Sequence, residues 1–372
     1  MGAAMVVALL ASAAPAVEDA RCARALLVAR RSRCPSGVFK NERLSLALQQ
    51  RQEPNSPLVY FNAGANKGFA VAEFLQRFDG ARAANSPSNA DWYKSIRAIK
   101  PSGMFQCGMC AACKDAPAPR YSNSSTVSIV AFELLKGNHW LLNQLFERHH
   151  VPGVALNVAV SNYTGVAWAP TGVRTGQEWS SAELGGSAEE HGKKGNGRSR
   201  KGLTAVPSIT IDGYARKEGL RRIHWLSIDA EGWDALIVEG ARQLLEARRV
   251  DVLEFEYHSK GMWAASRAAA DRRDLKAVLH SLDAAGYTCF WQGDSGALAQ
   301  ASGAAWCDAF EIRVHSNLVC SHVPAIVDAL RAVDCAATSP TDNDESRRRH
   351  CAAVDAHAAH SPRKQHRAAY AD

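Results

Sequence analysis

The sequence predicts an α/β fold in which helices cover both faces of a mostly parallel sheet. Short, continuous apolar runs are typical of strands buried on both faces, and five occur at 58–63, 127–132, 154–160, 223–228 and 250–255. Helical spacing of apolar residues separates several of these runs, at 69–78, 134–149 and 234–248. Strands that alternate with helices build a parallel sheet through right-handed crossovers. Two further runs, 287–292 and 309–314, are joined by a Gly-rich loop and predict an antiparallel pair at one edge.

Composition indicates a chain with a large buried core. Its 372 residues are 47% hydrophobic, and its formal net charge of +7 is concentrated in three segments, 21–43, 193–201 and 347–367. No aromatic residues interleave with these basic runs as they do in base-stacking proteins, so we do not expect nucleic-acid binding. No apolar stretch reaches the about 20 residues that a membrane-spanning helix needs.

Four regions are predicted along the chain. Residues 1–16 form an apolar segment that ends in Ala14-Pro15-Ala16, which is typical of a cleaved secretory signal peptide. An organelle presequence is the alternative, because the following leader, 17–57, is rich in arginine. We expect this polar leader to be poorly packed. The main domain is expected at 58–335, with a Cys-containing surface insertion at 80–121 and a flexible basic loop at 185–202. Residues 336–372 lack apolar periodicity and are expected to be a disordered tail.

Ten cysteines, an even number, favour disulfides in an oxidising compartment. Two glycosylation triplets fit the same compartment, namely Asn123-Ser124-Ser125 and Asn162-Tyr163-Thr164. Three thiols lie close together at Cys107, Cys110 and Cys113. We expect them to form disulfides with Cys22, Cys34 or other partners, and a zinc site with a fourth ligand from elsewhere is the alternative.

A glycine-containing loop at 62–68 follows the first predicted strand, where open α/β sheets bind nucleotides. Its glycines are four residues apart rather than in the Gly-x-Gly-x-x-Gly pattern of dinucleotide sites. The wider loop suits the methionine half and the ribose of S-adenosylmethionine, and the predicted contacts are Asn62, Gly64, Ala65, Asn66 and Gly68.

Glu133 ends the second predicted strand, where a carboxylate can accept both ribose hydroxyls of a nucleoside. The alternative is a carboxylate that caps the following helix.

Four segments together resemble the FkbM-type methyltransferases. They are Asn62–Gly68, Val130-Ala131-Phe132-Glu133, Asn157–Ser161, and Ile228–Asp234 with its Asp-Ala-Glu-Gly block. The third segment adds Ala159 to the expected cofactor contacts. The resemblance extends over about 58–315. Three positions depart from the family pattern: Asn62 replaces Asp, Ser227 replaces Lys, and Leu134 stands where Pro is common.

The resemblance implies a seven-stranded, Rossmann-like class I methyltransferase fold with an antiparallel edge strand, and S-adenosylmethionine as methyl donor. It also implies O-methylation of a hydroxyl on a sugar or another small acceptor. Two other functions remain open: a catalytically inactive secreted binding protein on the same fold, and a nicotinamide-dependent oxidoreductase. The missing third glycine of the loop disfavours the oxidoreductase.

Proton removal from a hydroxyl acceptor requires a base at the same edge of the sheet. Asp229 is the first candidate and Glu231 the second, because both follow the fourth predicted strand of the family pattern. His258, after the fifth, is the third. Both carboxylates have an alternative role in capping the next helix. Whether Asp229, Glu231 and Asp234 hold a divalent ion stays open.

Overall fold

A computed structural model describes residues 14–31, 41–82, 86–99, 125–177, 202–268, 270, 272–293, 296–337 and 351–352. The described strands are β1 (Leu58–Ala63), β2 (Val127–Glu133), β3 (Gly153–Asn157), β4 (Ala159–Val160), β5 (Gly165–Pro170), β6 (Leu203–Ile209), β7 (Ile223–Ile228), β8 (Val250–Tyr257), β9 (Thr288–Gln292), β10 (Leu298–Gln300) and β11 (Ser316–Ser321). The described α-helices are α1 (Ala14–Ala29), α2 (Glu42–Gln49), α3 (Phe69–Phe78), α4 (Asn89–Ile99), α5 (Lys136–Arg148), α6 (Ile211–Lys217), α7 (Asp234–Gly240), α8 (Arg242–Glu246), α9 (Leu275–Ala284) and α10 (Pro324–Arg331).

The main sheet contains eight described strands in the order β10-β9-β11-β8-β7-β1-β2-β3. Strands β3, β2, β1, β7 and β8 pair in parallel, whereas β11 is antiparallel to both β8 and β9. This arrangement confirms the predicted α/β class with a mostly parallel sheet. It has one strand more than the seven expected, because β10 extends the edge beyond β9.

A buried core lies on each face of the main sheet, because neighbouring side chains of a strand point to opposite faces. In β1, Val59, Phe61 and Ala63 belong to one core, while Leu58 and Tyr60 belong to the other. Helices α7, α8 and α9 bury apolar residues in the first core, and α3, α5 and α10 do so in the second. The continuous apolar runs of the sequence therefore reflect strands covered by helices on both sides.

A second sheet of three strands, in the order β4-β6-β5, was not predicted. The run 154–160 is divided at Val158 between β3 in the main sheet and β4 in the small one. Strand β6 has alternating exposed and buried residues over much of its length. This half-exposed pattern lacks the continuous apolar run that identified the main strands.

The strand predicted at 309–314 is wrong. Asp308–Phe310 is a 3-10 turn, and the strand begins later, at Ser316. The strand forms at this later position because Leu318, Val319 and Cys320 can all be fully buried there. The strand also lies inside the sheet rather than at its edge, between β8 and β9. A disulfide joins Cys320 to Cys289 on β9, directly across the strand pair.

The prediction that 17–57 is a poorly packed leader is wrong for both of its described helices. Helix α1 packs against β9 and β10 and buries Ala25, Val28 and Ala29. Helix α2 packs against α10 and buries Leu44 and Leu48. Arginine charge concealed this, because aliphatic residues cover the inner faces while the charged groups stay at the rim.

Cys22 on α1 forms a disulfide with Cys307, so the expected pairing of Cys22 with the Cys107 cluster is wrong. All described cysteines are paired, in Cys22–Cys307, Cys289–Cys320 and Cys335–Cys351. Cys34 and the cluster at 107–113 lie outside the described residues. Three disulfides are consistent with an extracellular or secretory protein.

Two regions expected to lie outside the core contribute to it. In the predicted insertion 80–121, α4 buries Trp92 and Ile96 completely. In the predicted disordered tail, Cys351 is fully buried and bonded to Cys335. Residues 1–13 and 178–201, which hold most of the predicted targeting segment and the basic loop, are not described. Among the described helices, none combines the length and apolar composition of a membrane span.

Candidate active site

The predicted site residues converge at the carboxyl ends of four adjacent parallel strands. The glycine loop follows β1, Glu133 is the last residue of β2, Asp229 follows β7 and His258 follows β8. Strands β2, β1, β7 and β8 are neighbours in the sheet. This is the edge at which open α/β sheets bind ligands.

The glycine loop turns sharply around the end of β1. Gly64, Asn66 and Gly68 have positive φ angles of 85°, 47° and 79°, a region that glycine reaches without steric cost. The backbone N–H groups of Gly64 and Ala65 both donate to the carbonyl of Phe132, at 3.0 Å. A Cβ at Gly64 would lie 1.8 Å from the carbonyl oxygen of Asp229, so the loop passes directly against the end of β7.

Glu133 holds the glycine loop with its carboxylate. Oε2 accepts from Asn66 N at 2.8 Å, and Oε1 accepts from Leu135 N at 2.6 Å. Burial raises the pKa of the Glu133 carboxyl to about 7, although both of these hydrogen bonds act to lower it. Asn157 Nδ2 donates to the backbone carbonyls of Glu133 and Leu134, at 2.9 Å each. The carboxylate is therefore fixed between the loop and α5.

Asn138, a residue that the sequence analysis missed, connects the loop to a distant segment. Its Nδ2 donates to Asn66 Oδ1 and to the Gln177 carbonyl, both at 3.3 Å, and its Oδ1 accepts from Gly176 N at 2.7 Å. The side chain is almost fully buried. Nothing in the local pattern of α5 distinguishes this Asn from a solvated one, because its partners come from elsewhere in the chain.

Trp92, also missed, supports the loop from α4. Its Nε1–H donates to the carbonyl of Lys67 at 2.7 Å, and its ring stacks on His149. A Cβ at Gly68 would lie 2.8 Å from the Trp92 ring and from Leu142, so the indole packs closely against the loop. The segment expected to be a surface insertion thus forms one wall behind the loop.

The remaining predicted cofactor contacts are buried at strand ends. Asn62 is 2% exposed, and its Oδ1 has no hydrogen-bond partner among the described residues. A buried acceptor without a partner is costly, so a ligand that donates to it is favoured here. Ala159, by contrast, lies on β4 and pairs with Ser208 in the small sheet.

The segment after β7 places its carboxylates in different surroundings. Asp229 is exposed, and its N–H donates to the carbonyl of Ala63 at 2.9 Å. Glu231 has a φ of 54°, which is uncommon for a residue other than glycine and recurs at functional sites. Burial and the neighbouring Glu256 carboxylate raise the pKa of Glu231.

Asp234 anchors this segment to β8. Its Oδ2 accepts from Gly232 N and its Oδ1 accepts from Glu256 N, both at 3.1 Å. It is completely buried, and burial followed by the Glu256 charge raises its pKa to about 7. Both oxygens accept from backbone N–H groups, so Asp234 positions the backbone of this segment against β8.

Glu256 is the central residue that the sequence analysis missed. Its Oε1 accepts from His315 Nε2 at 2.8 Å, and its Oε2 lies 3.2 Å from His258 Nε2. Burial would raise the pKa of Glu256, but the two histidines outweigh it and lower the pKa to about 2. The same hydrogen bond raises the pKa of His315. Glu256 therefore stays ionised over the physiological range of pH.

The ring of His258 is oriented by a backbone contact. Lys260 N donates to Nδ1 at 3.2 Å, so Nδ1 is an acceptor and the ring proton lies on Nε2. This makes His258 a donor toward the site and argues against the predicted role as a base. The oxygens of Glu231 and Glu256 and a ring nitrogen of His258 all lie within 4.8 Å of one another. A cation bound there would require the unprotonated Nε2 that this contact disfavours.

The comparisons with known proteins bear on this geometry. Residues 106–289 match the family model of the methyltransferase FkbM domain. Over these residues the chain is similar to the FkbM methyltransferase domain. The match confirms the resemblance inferred from the sequence and indicates methyltransferase activity. A comparison with curated proteins found no match.

The FkbM match includes most of the residues of the site. It extends from before β2 to β9, and so contains Glu133, the segment after β7, and both Glu256 and His258. It begins after β1 and the glycine loop. The parallel pairing of β1 with β2 and β7 nevertheless places that loop beside the matched residues.

Proposed function

We propose that the chain is an S-adenosylmethionine-dependent O-methyltransferase that acts on a hydroxyl of a sugar or another small acceptor. The observation that carries the proposal is the buried Glu133 carboxylate, which ends β2 and holds the glycine loop through Asn66 N. A carboxylate beside a glycine turn at this edge of the sheet suits a nucleoside whose ribose offers two hydroxyl donors. The FkbM domain match supports methyl transfer as the reaction.

The residues present fit S-adenosylmethionine. Glu133 would accept from the ribose hydroxyls. Asn62 Oδ1, which has no hydrogen-bond partner among the described residues, offers a buried acceptor to the ammonium group of the methionine half. Gly64 and Gly68 have the positive φ angles that the tight turn requires. When bound, S-adenosylmethionine supplies a methyl carbon activated by its sulfonium. The protein then has to align an acceptor with it and accept a proton.

Two carboxylates are candidates for accepting that proton. Asp229 lies at the end of β7, where its backbone carbonyl faces the glycine loop. Glu231 lies with Glu256 and His258, and burial raises its pKa toward the range of an efficient general base. Either carboxylate would act as the base that removes the proton of a hydroxyl acceptor. Radiolabelled methyl transfer to a panel of glycans would separate them, since Asp229→Asn and Glu231→Gln remove one carboxylate each.

The decisive test is cofactor binding measured by calorimetry. We expect the intact protein to bind S-adenosylmethionine and S-adenosylhomocysteine, and Glu133→Gln to weaken binding by about 10- to 100-fold, as expected for charge-assisted hydrogen bonds. Glu147→Gln is the matched control, because Glu147 is an exposed carboxylate on α5. Failure of the intact protein to bind either nucleoside would refute the proposal, and binding of a nicotinamide dinucleotide instead would favour the oxidoreductase.

We also propose that the chain functions in the secretory pathway or outside the cell. The three disulfides support this, since they persist in oxidising compartments. Asn162 of the second glycosylation triplet is exposed in the turn between β4 and β5, so an oligosaccharyltransferase could reach it. Intact-mass measurement of the secreted protein, before and after glycosidase treatment and Asn162→Gln, tests the modification.

A further inference from the structure

Two buried polar atoms at this edge of the sheet have no hydrogen-bond partner in the described part of the chain. Glu256 and His258 are each 4% exposed, and Glu256 Oε2 and His258 Nε2 have no hydrogen-bond partner among the described residues. The two atoms are 3.2 Å apart, an ion-pair distance, but they do not form a hydrogen bond with each other. Leaving a buried donor and a buried acceptor unpaired is unfavourable, because each has lost its hydrogen bonds to water. A ligand that satisfies both would recover this free energy.

The chemistry of the pair indicates the ligand. The Lys260 N–H at Nδ1 leaves the proton of His258 on Nε2, so one member of the pair donates. Glu256 is ionised and can only accept. A single hydroxyl group satisfies both, because its oxygen accepts from Nε2–H while its own hydrogen is donated to Oε2.

Other ligand classes fit less well. A carboxylate would face the negative charges of Glu231 and Glu256. An ammonium group would point a donor at the His258 donor, beside the positive charge of Lys260. A divalent cation would bind the lone pair of Nε2, which requires the ring proton to lie on Nδ1. There it would face the Lys260 N–H, so two donors would meet. A neutral hydroxyl avoids all three conflicts.

We propose that Glu256 and His258 bind the hydroxyl of the methyl acceptor and that Glu231 removes its proton. This inference rests on the proposed function and specifies the acceptor side of the same site. The hydroxyl oxygen forms its bond to the methyl carbon as the carbon–sulfur bond breaks, and the electron pair remains on sulfur. The hydroxyl hydrogen, which Glu256 Oε2 accepts while the acceptor is bound, passes to the Glu231 carboxylate, whose oxygen lies within 4.8 Å of the Glu256 oxygen and of the His258 ring nitrogen. His315 is a positioning residue, because it holds Glu256 through Oε1 and leaves Oε2 facing the acceptor.

The backbone around Glu231 supports this assignment. Its left-handed conformation is followed by Gly232, where a Cβ would lie 2.5 Å from the Lys260 carbonyl. Lys260 N is the donor that orients His258. The loop after β7 therefore packs directly against the loop after β8, and this contact places the Glu231 carboxylate near the His258 ring. Strain of this kind persists where the surrounding structure fixes it for function.

The first test uses NMR of the intact protein labelled with ¹⁵N-histidine, with ethylene glycol, ethylamine and sodium acetate as hydroxyl, amine and carboxylate probes. We expect two-bond nitrogen–proton spectra to show the Nε2–H form of His258. Ethylene glycol should shift its signals saturably, whereas ethylamine and acetate should not. Glu256→Gln should abolish the shift and Glu246→Gln, at an exposed glutamate, should retain it.

Three outcomes would overturn the inference: an Nδ1–H form of His258, a saturable response to ethylamine or acetate but not to ethylene glycol, or MnCl2 broadening of the His258 signals that Glu256→Gln removes. Should Glu256→Gln fail to fold, His315→Gln replaces it, because that ring is half exposed. Calorimetry with S-adenosylmethionine on the same samples separates the two proposals. Intact cofactor binding with no glycol response refutes only the acceptor site.

The second test measures methyl transfer to a panel of methyl glycosides. We expect His258→Gln to raise KM more than it lowers kcat, because it removes a binding contact. Glu231→Gln should lower kcat by about 100-fold or more, the usual contribution of a general base. His280→Gln, an exposed histidine on α9, is the control and should change neither constant. Equal kcat in Glu231→Gln and the unmodified protein would refute the proton transfer.

Discussion

Cofactor binding should depend on pH through Glu133. Burial raises the pKa of this carboxyl to about 7, so it is half protonated near neutrality in the free protein. Ribose hydroxyls donate to the ionised form and therefore bind only after the proton has left. With a free-state pKa of about 7, we expect the affinity at pH 6 to be about tenfold lower than at pH 8.

Calorimetric titration with S-adenosylmethionine at pH 6, 7 and 8 measures this effect. Repeating it in buffers of different ionisation enthalpy gives the number of protons released on binding. The amino group of the cofactor also titrates near pH 8, so Glu133→Gln is the essential comparison. We expect the variant to bind more weakly and to lose the part of the pH dependence that comes from the protein.

Equal pH dependence in the intact protein and in Glu133→Gln would refute this reasoning, as would tighter binding at pH 6. The same pKa has an opposite consequence for the empty protein. Because the folded-state pKa is raised above the ordinary value of 4.5, this group stabilises the folded state most below pH about 4.5. That contribution is lost as the pH rises through about 7.

Three further substitutions test the structure around the site. Gly64→Ala should abolish cofactor binding, because its Cβ would collide with the Asp229 backbone. Gly219→Ala, also at positive φ but with open space around it, should leave binding intact and lower the free energy of unfolding by only about 1 kcal/mol. Similar cofactor binding by the two variants in calorimetry would contradict this. Trp92→Phe keeps the ring but removes the donor to Lys67, and we expect a several-fold loss of cofactor affinity, with an unchanged Kd as the contrary result. Replacing Cys22 and Cys307 with serine should lower the free energy of unfolding by roughly 2–5 kcal/mol in denaturant titrations and raise hydrogen exchange in α1, while an unchanged midpoint would refute it.

The parts of the fold that the sequence predicted are those with a strong local signal. Strands β1, β2, β7 and β8 are fully or almost fully buried, so each produces a continuous apolar run. Because these strands are parallel, their carboxyl ends lie at one edge of the sheet, and the sequence alone therefore predicts that Glu133, Asp229 and His258 lie at that edge. Local pattern and global topology agree in this part of the molecule.

The parts that the sequence did not predict depend on contacts between distant segments. His315 reaches Glu256 because β11 inserts antiparallel beside β8, so the start of the one strand meets the end of the other. Trp92 reaches the glycine loop from a segment with no strand pattern at all. Glu256 itself was hidden in an alternation of Glu254, Phe255 and Glu256, where nothing local shows which carboxylate meets the histidines.

Helix α1 docks on β9 and β10, strands that are near the other end of the sequence. A ribosome makes α1 long before β9 and β10, so the helix cannot dock on its native surface until those strands have emerged. Cys22 likewise cannot form its native disulfide until Cys307 has emerged. Closure of this bond therefore marks the completion of the sheet edge, and a chaperone or disulfide isomerase has its best opportunity to engage the nascent chain before that moment.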